Sequence, residues 1–371
     1  MINKSVSLIV PAYKEKDNIQ PLVTRLAAAL GGYNYEIVIM DDNSRDGTEE
    51  LVEALAKEFP VRIIVRRDKK GLASAVVDGF SYTKSDIIVV MDADLQHPPE
   101  VIPSVIKAIE DGADIAVGSR YIEGGGCEGW SLLRRIISKG AAFISHVFLP
   151  STRKINDPMS GLFALKRDVL KGADLNPSGF KILLEVLMLG KWNSVVEVPF
   201  MFVTRSRGES KLNTKQQLDY LKHIFSLMRR TGELTRFIKF SIVGGTGVIV
   251  NLGLYALLTR YGGFSPIDNT SAGILSGNIA LTISIETSII TNFILNNFFT
   301  FSDRNTGGVL SFFKRLLNFN LICLIGALIQ IGVTNLFAVV FGFHDIVAVL
   351  IGIIIAFLWN YLLNNFLTWK K

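Results

Sequence analysis

The chain has 371 residues, 49% of them hydrophobic, and a mean hydropathy of +0.36. This length leaves room for two domains, and the hydropathy excludes a wholly soluble protein of ordinary composition. The two cysteines, Cys127 and Cys323, exclude a disulfide framework and favour a reducing compartment for the soluble part. The first apolar run is too short for a signal peptide and is typical of a strand.

The formal charge of +6 is unevenly distributed along the chain. Residues 1–130 carry 14 Lys and Arg against 21 Asp and Glu, whereas residues 131–230 carry 17 against 7. Beyond about residue 237, charges become rare. A basic segment next to a membrane region favours anionic headgroups or a lipid phosphate as its partner, and not nucleic acid.

Strands and helices alternate over the first 120 residues. We predict strands at 5–10, 36–40, 61–65, 87–91 and 114–119, and helices at 19–30, 49–58, 72–83 and 99–111. The alternation predicts an α/β fold with a doubly wound, mostly parallel, Rossmann-like sheet. A dinucleotide or P-loop site is not favoured, because neither glycine-rich signature is present in the sequence.

The central strand at 87–91 ends in Asp92-Ala93-Asp94, which places two carboxylates where open α/β sheets bind ligands. One carboxylate can reach a sugar while the other holds a hard divalent cation, and Gln96 adds a neutral oxygen ligand. A solvated turn before the next helix explains this pattern less well, because the strand is apolar throughout.

A second acidic strand end, at Asp42, is predicted at the same edge of the sheet. This geometry fits a nucleotide: Asp42 accepts hydrogen bonds from base or ribose, Tyr13 covers the base, and Asp94 with a metal neutralises a diphosphate.

Three later segments contain charged residues of interest: two are basic, and the third is an apolar helix that contains Glu185. The helix predicted over 131–149 carries Arg134 and lies either in the headgroup plane or on an ordinary surface. Glu185, within a helix predicted over 176–190, is either a base or a structural partner. The loop from Arg205 to Lys211 suits a phosphate-clamping lid, although alone it is more typical of a solvated loop.

An amphipathic helix at 216–230 leads to four apolar stretches that can each span a bilayer, at about 237–258, 272–299, 312–341 and 346–367. The positive-inside rule places the soluble domain and both termini in the cytoplasm. We therefore predict a multi-pass protein of the cell membrane. Its expected parts are a catalytic domain (1–212), a juxtamembrane helix (213–232) and an all-α membrane domain of two hairpins (233–371).

The membrane part contains an internal repeat, since residues 292–301 recur sixty-eight positions later as 360–369. The asparagines of both copies are expected to join helices or to line a site near the headgroups. Glu286 lies in the middle of a span, where structural pairing and a functional role are equally open.

Assembled, these residues resemble family 2 glycosyltransferases of the GT-A fold, and closely the dolichol-phosphate mannose synthases. The membrane repeat resembles the GtrA-type domain. The resemblance covers essentially the whole chain, and it rests on residues 11–15 (Pro-Ala-Tyr-Lys-Glu), 41–44 (Asp-Asp-Asn-Ser), 91–98 (Met-Asp-Ala-Asp-Leu-Gln-His-Pro), 118–121 (Gly-Ser-Arg-Tyr) and 205–211 (Arg-Ser-Arg-Gly-Glu-Ser-Lys).

The resemblance implies a role for each matching residue. It implies that the nucleoside is held by Pro11, Tyr13, Glu15, Met40 and Asp42. It implies that Asp92 and Ala93 hold the sugar nucleotide, and that Asp94 with Gln96 holds Mg²⁺ or Mn²⁺. It implies that the donor diphosphate or the acceptor phosphate is contacted by Arg120, Arg205 and Lys211. To these we add Arg134 for the acceptor phosphate, because it begins the basic helix.

Two departures from the family pattern are visible. Relatives often carry Asp or Gly and then Ser-Pro where this chain has Asn43-Ser44-Arg45, which affects no expected catalytic residue. Gln-x-x-Arg-Trp, the signature of processive synthases, is missing from the sequence, which favours a single sugar transfer.

The expected reaction transfers mannose from GDP-mannose to dolichyl or polyprenyl phosphate, with inversion to a β-linked product. The alternative is a polyprenyl-phosphate β-glucosyltransferase that uses UDP-glucose. Two further hypotheses are a lipid transporter with a regulatory soluble domain, and a glycosyltransferase whose helices serve only as an anchor.

Overall fold

The computed structural model describes residues 4–177, 179, 181–203, 214–265 and 271–370. The chain divides into two compact units, Met1–Thr231 and Gly232–Lys371. Arg205 and Lys211, with the predicted lid that contains them, lie outside the described residues.

The first unit is built on a mixed sheet that has seven strands in the described part of the chain, in the order β3-β2-β1-β4-β7-β5-β8. These strands are β1 (Ser5–Ala12), β2 (Asn34–Asp41), β3 (Val61–Val65), β4 (Ile87–Val90), β5 (Ile115–Ser119), β7 (Phe163–Lys166) and β8 (Val195–Pro199). A short pair, β6 (Gly126–Cys127) and β9 (Met201–Phe202), lies apart from it. The predicted α/β sheet is confirmed. An unpredicted feature is that β7 runs antiparallel to both of its neighbours, β4 and β5.

Helices cover both faces of this sheet. Those on one face are α1 (Lys16–Ala29), α2 (Thr48–Leu55) and α4 (Ile102–Glu110), and those on the other are α3 (Leu72–Tyr82) and α6 (Ile182–Leu189). Two further helices of this unit, α5 (Leu132–Phe148) and α7 (Thr214–Arg230), pack on each other. Side chains alternate along β1, so that Leu8 and Val10 belong to one apolar core while Ile9 belongs to the other. The helix predicted over 176–190 begins only at Ile182.

Parallel pairing brings the carboxyl ends of β1, β2 and β4 to one edge of the sheet. The four described non-glycine residues with positive φ all lie in the loops that follow these strands: Lys14 (58°), Asn43 (55°), Arg45 (54°) and Leu95 (61°). A left-handed conformation costs roughly 1–3 kcal/mol at such residues and is concentrated at functional sites. Backbone strain therefore marks the same edge as the acidic motifs do.

The second unit contains four described helices that are long and apolar enough to cross a membrane. They are α8 (Glu233–Tyr261), α9 (Ser271–Leu295), α10 (Val309–Asn335) and α11 (Asp345–Leu363). Helix α8 packs on α9, and α10 packs on α11. Glu286 of α9 accepts a hydrogen bond from Asn320 of α10, which agrees with a structural pairing.

The two copies of the internal repeat have the same local structure. Each ends in a π-helical turn, Asn296–Thr300 in the first copy and Asn364–Thr368 in the second. The equivalent rings of Phe301 and Trp369 stack on each other, with centroids 4.5 Å apart and planes 7° from parallel. The repeat therefore builds a shared aromatic core in which equivalent positions of the two copies meet.

In each copy of the repeat, the equivalent asparagine accepts a hydrogen bond from an arginine. Asn297 Oδ1 accepts hydrogen bonds from Arg315 Nε and from Trp369 Nε1, both at 3.2 Å. Asn365 Oδ1 accepts from Arg304 Nη1. These asparagines therefore join separate segments of the membrane unit through hydrogen bonds, which is one of the two roles predicted for them.

We predict that Arg315→Ala lowers the free energy of unfolding of the membrane unit by about 2 kcal/mol, because hydrogen bonds from a charged donor are lost. Arg315 is buried and donates to Asn297, to the Thr306 carbonyl at 2.7 Å and to Asn305 Oδ1 at 2.7 Å. Denaturation of the full chain in detergent measures the change.

The adjacent Lys314 provides the matched control for this prediction, because it is exposed. Lys314→Ala removes the same charge from the same helix and should leave the midpoint of unfolding unchanged. Equal midpoints for the two variants would contradict the proposed contribution of the Arg315 hydrogen bonds.

Candidate active site

Asp94 and Gln96 form a buried turn at the end of β4, with 7% and 6% of their surfaces exposed. The Gln96 backbone N–H donates to Asp94 Oδ1 at 3.1 Å. The Gln96 side-chain Nε2 donates to the Val203 carbonyl at 3.1 Å, and the Val203 N–H donates back to the Gln96 carbonyl at 3.2 Å. Because the side-chain nitrogen of Gln96 donates to Val203, Oε1 is the side-chain atom that can accept a hydrogen bond or bind a cation.

Asp92 lies on the more open side of this turn, with 30% of its side chain exposed. Its Oδ2 is 3.7 Å from Nδ1 of His97, which packs between the rings of Phe200 and Phe202 at centroid distances of 5.4 and 5.3 Å. Burial lowers the pKa of His97 to about 4, so the ring is neutral at physiological pH. A Cβ at Gly161 would lie 2.7 Å from Asp92 Oδ2, so glycine is required for this close approach.

Arg120 is held by Asp157, which is fully buried. Its Nε and Nη2 donate to the two carboxylate oxygens, each at 2.7 Å, and its backbone N–H donates to Oδ2 at 3.1 Å. Burial alone would lower the pKa of Arg120, but the hydrogen bonds and charge of Asp157 outweigh it and raise the pKa. The positive charge of Arg120 is thus largely offset inside the protein.

Aromatic rings surround the Arg120 guanidinium. It lies 5.4 Å from the ring centroids of Tyr121 and Trp130 and 5.5 Å from that of Phe202. The guanidinium of Arg134 also lies over the ring of Trp130, 4.2 Å from the ring centroid. Trp130 therefore links the two arginines that were predicted to face phosphate groups.

Asp42 lies at the predicted edge, but its carboxylate is engaged by the loop after β3. It accepts hydrogen bonds from Arg66 Nη1 and, at 2.6 Å, from the Gly71 N–H. Arg66 is buried and also donates through Nε to Asp78 at 3.0 Å. Asp42 thus fixes the loop 66–71 beside the expected nucleoside site, a contact that no sequence motif indicated.

Tyr13 offers a flat surface at the same edge, since 41% of it is exposed. The ammonium groups of Lys14 and Lys70 lie 5.6 and 5.9 Å from its ring centroid. An exposed ring flanked by two cations suits a base that carries phosphates.

The other residues expected to hold the nucleotide are less accessible. Pro11 and Ala93 are buried, and Met40 is fully buried in the core. Glu15 Oε2 accepts a hydrogen bond from Asn18 Nδ2 at 2.6 Å. The Met40 side chain therefore packs within the sheet and has no surface to offer a ligand in this conformation.

A cavity of about 470 Å³ begins beside Asp92. Its charged and titratable lining, here called the polar end, consists of Asp92, His97, Arg120, Arg134 and Lys181. Its apolar lining, here called the apolar end, comes from α5 and α7 and includes Ile137, Ala141, Ile144, Tyr220 and Leu221, while Gln216 and Gln217 of α7 also line the cavity. The cavity therefore combines cationic groups with an apolar lining, as an amphiphile with an anionic head requires.

Lys181 is a cavity residue that sequence reasoning missed. Its Nζ donates to the Met159 carbonyl at 2.9 Å. Burial, and next the nearby charge of Arg120, lower the pKa of Lys181 to about 8, although Asp92 and Asp157 act in the opposite direction. A single lysine before an apolar helix carries no motif, so its position follows only from the tertiary fold.

The outer surfaces of α5 and α7 are apolar. Large exposed side chains include Leu132 (74%), Leu133 (67%), Ile136 (58%) and Phe143 (62%) on α5, and Leu218 (54%) and Phe225 (55%) on α7. The Tyr220 hydroxyl donates to the Ala141 carbonyl at 2.6 Å and joins the two helices. Such a surface favours a helix in the headgroup plane over an ordinary surface helix.

Comparison with known proteins shows the family to which the chain belongs. Residues 7–172 match the family described as Glycosyl transferase family 2, and residues 239–369 match that described as GtrA/DPMS, transmembrane domain. A dolichol-phosphate mannosyltransferase from Pyrococcus furiosus is 46% identical over 364 residues, which cover 98% of this chain and 99% of the relative. One from Mycosarcoma maydis is 43% identical over 263 residues, covering 68% and 86%.

Among solved structures the likeness is weaker. The glucosyl-3-phosphoglycerate synthase of Mycobacterium tuberculosis in complex with Mn²⁺ and UDP-glucose is 19% identical, with a TM-score of 0.49 and coverage of 62% of this chain and 79% of that chain. The full-length relative and the two matching families establish that the chain belongs to the dolichol-phosphate mannosyltransferases, as a family 2 glycosyltransferase with a GtrA-type membrane domain.

Proposed function

We propose that this protein is a dolichyl-phosphate β-D-mannosyltransferase. It transfers mannose from GDP-mannose to dolichyl or polyprenyl phosphate with inversion, which gives a β-linked lipid phosphate sugar for later glycosylation. The observation that carries this proposal is the cavity that joins the Asp92 edge of the sheet to the apolar face of α5 and α7. The glucosyltransferase and transporter alternatives are not favoured, because the relative that matches the full chain is a mannosyltransferase.

Asp94 and Gln96 are proposed to hold Mg²⁺ or Mn²⁺ on the donor diphosphate. A carboxylate and an amide oxygen suit a hard cation. The described residues contain no group of three His, Cys, Asp or Glu that would bind a metal alone, and we propose that diphosphate oxygens and water would complete the coordination. The bound cation supplies charge neutralisation for the leaving diphosphate.

The nucleoside is proposed to lie at the edge formed by Tyr13, Glu15 and Asp42. Tyr13 offers its exposed ring to the base, while Asp42 keeps the loop 66–71 in place. Pro11, Met40 and Ala93 shape this edge through their buried positions in and after the strands. Asp92, which is accessible from the cavity, orients the sugar toward the acceptor.

The acceptor phosphate is proposed to bind at the polar end of the cavity. Since Asp157 offsets Arg120, Lys181 and Arg134 supply most of the net positive charge there. Arg205 and Lys211 remain proposed phosphate contacts that lie outside the described residues. The apolar end between α5 and α7 receives the first isoprene units.

The chemistry then requires orientation and charge compensation more than proton transfer. The second pKa of a phosphate monoester is about 6, so the acceptor is mostly a dianion at pH 7 and needs no general base. Its oxygen forms the new bond to the anomeric carbon while the bond to the diphosphate breaks, and the leaving GDP takes the electron pair. The apolar walls exclude water, which would otherwise compete as the acceptor.

The catalytic unit is proposed to work at the cytoplasmic surface of the cell membrane. Its α5 and α7 expose apolar side chains, and residues 131–230 carry 17 Lys and Arg against 7 Asp and Glu. Both features suit an anionic bilayer surface.

We predict that the detergent-purified full chain, given Mn²⁺ and a polyprenyl phosphate, makes chloroform-soluble label from radiolabelled GDP-mannose but not from UDP-glucose or UDP-N-acetylglucosamine. Lipid-soluble label from UDP-glucose instead would establish the glucosyltransferase alternative. No lipid-soluble label from any donor would favour a transporter.

Two variants accompany this screen: one changes a proposed metal ligand, and the other is its control. Asp94→Asn keeps the size of the side chain but removes the proposed metal-binding charge, and it should lower kcat by at least about a hundredfold. Asp111→Asn changes an exposed acid at the end of α4 and should retain full transfer.

We also predict a pH dependence that comes from Lys181. Its pKa of about 8 means that the ammonium loses its charge as the pH rises through 8, so kcat/KM for the lipid phosphate should fall above that pH. Lys181→Arg stays charged and should remove the decline, whereas Lys181→Met should be impaired over the whole range. An unchanged alkaline decline in Lys181→Arg would exclude Lys181 as its source.

A further inference from the structure

Helix α7 forms one wall of the cavity and is also the last helix of the first unit. Gln216, Gln217, Tyr220 and Leu221, all in its first half, line the cavity. The helix ends at Arg230, one residue before the end of the unit. The shape of the cavity therefore depends on how α7 is held against the sheet domain.

The second half of α7 is held by one carboxylate of α6, that of Glu185, which is fully buried. Its Oε1 is 3.0 Å from His223 Nε2, and Arg230 Nη1 donates to its two oxygens at 3.0 and 2.9 Å. The Asn176 N–H donates to Oε2 at 3.3 Å. A buried carboxylate is tolerated only when such partners surround it, and two of the three belong to α7.

Arg230 also extends this attachment beyond Glu185. Its Nη2 donates to the carbonyl of Asp174, and its Nη1 lies 3.3 Å from the carbonyl of Asn176. The residues Glu185, His223 and Arg230, here called the Glu185 cluster, therefore join α7 both to α6 and to the segment before α6.

Glu185 lies one helical turn after Lys181, whose ammonium lines the cavity. The start of α6 thus places a cation in the lining of the cavity, and the helix itself holds α7, which also lines the cavity. The nucleotide edge is built differently, because Asp42 is fixed by Arg66 and Gly71, and Asp94 by the Gln96 N–H.

We infer that Glu185 is a positioning residue for the lipid phosphate acceptor: through His223 and Arg230 it fixes α7 and so builds the acceptor cavity, with no part in donor binding. This inference rests on the proposed function for the identity of the acceptor. It assigns to Glu185 neither a base nor a contact with substrate.

Apolar contacts give α7 a second anchor. Ile224, Leu227 and Met228 are 3%, 0% and 5% exposed, and Tyr220 is bonded to the Ala141 carbonyl. Loss of the Glu185 charge is therefore expected to loosen α7 without unfolding the sheet domain.

The test is Glu185→Gln in the full chain, because glutamine has nearly the same shape and lacks the charge. The KM for a polyprenyl phosphate should rise about tenfold, while the KM for GDP-mannose should change by less than about twofold. Amide hydrogen exchange should become faster in residues 216–230 and stay unchanged in α1 and α3. Arg230→Gln, which alters the cluster from α7, should give the same pattern.

Glu36→Gln is the matched control. Glu36 accepts hydrogen bonds from Ser7 and Arg62 near the amino end of β2, far along the strand from the ligand edge. This variant also removes a paired carboxylate, and it should change neither KM nor the exchange of α7.

The outcomes separate the inference from the proposed function. Unchanged exchange of α7 in Glu185→Gln overturns the inference, and so does faster exchange with an unchanged acceptor KM. Parallel rises in both KM values overturn it as well, because they indicate a general structural effect. If the wild type transfers no mannose, the proposed function fails, whereas hydrogen exchange and the equilibrium binding of a short-chain polyprenyl phosphate still test the cluster.

Discussion

The buried ion pair between Arg120 and Asp157 is the interaction on which the ligand cavity depends. Asp157 receives the guanidinium at the end of β5, and its own N–H donates to Glu197 of β8 at 3.1 Å. Arg120 in turn lies close to the rings of Trp130 and Phe202, and both of these residues line the cavity. Removing one partner of such a pair costs roughly 3–5 kcal/mol. The positions of the neighbouring side chains at the polar end therefore depend on this pair.

The same pair decides how charge is distributed in the cavity. Arg120 alone would be a strong attraction for any phosphate, yet with Asp157 beside it the pair is nearly neutral. Lys181 and Arg134 also line the cavity, as does the carboxylate of Asp92, and these two cations are the groups proposed to face the acceptor phosphate. Two cations match a phosphate dianion, and in a cavity with apolar walls their attraction is stronger than in water. The cavity thus favours an anionic amphiphile over a neutral one.

Local patterns in the sequence were enough to predict most strands, the acidic edge at Asp42 and Asp94, and the membrane repeat, because each depends on neighbouring residues. The antiparallel β7 between β4 and β5 depends on pairing across distant segments and was not predicted. Lys181 and Asp157 have no motif around them, and their roles arise only when separate strands and helices meet. Met40 stays a predicted nucleoside residue whose side chain is fully buried, since matching a family block does not say which side of a strand a side chain occupies.

The strained turn at Leu95 lies between Asp94 and Gln96, the two residues proposed as metal ligands. A left-handed leucine costs roughly 1–3 kcal/mol, and the turn keeps that conformation because Gln96 is bonded to Val203 in both directions and to Asp94 through its N–H. The turn is therefore formed before the donor arrives, and little binding energy is spent on ordering it.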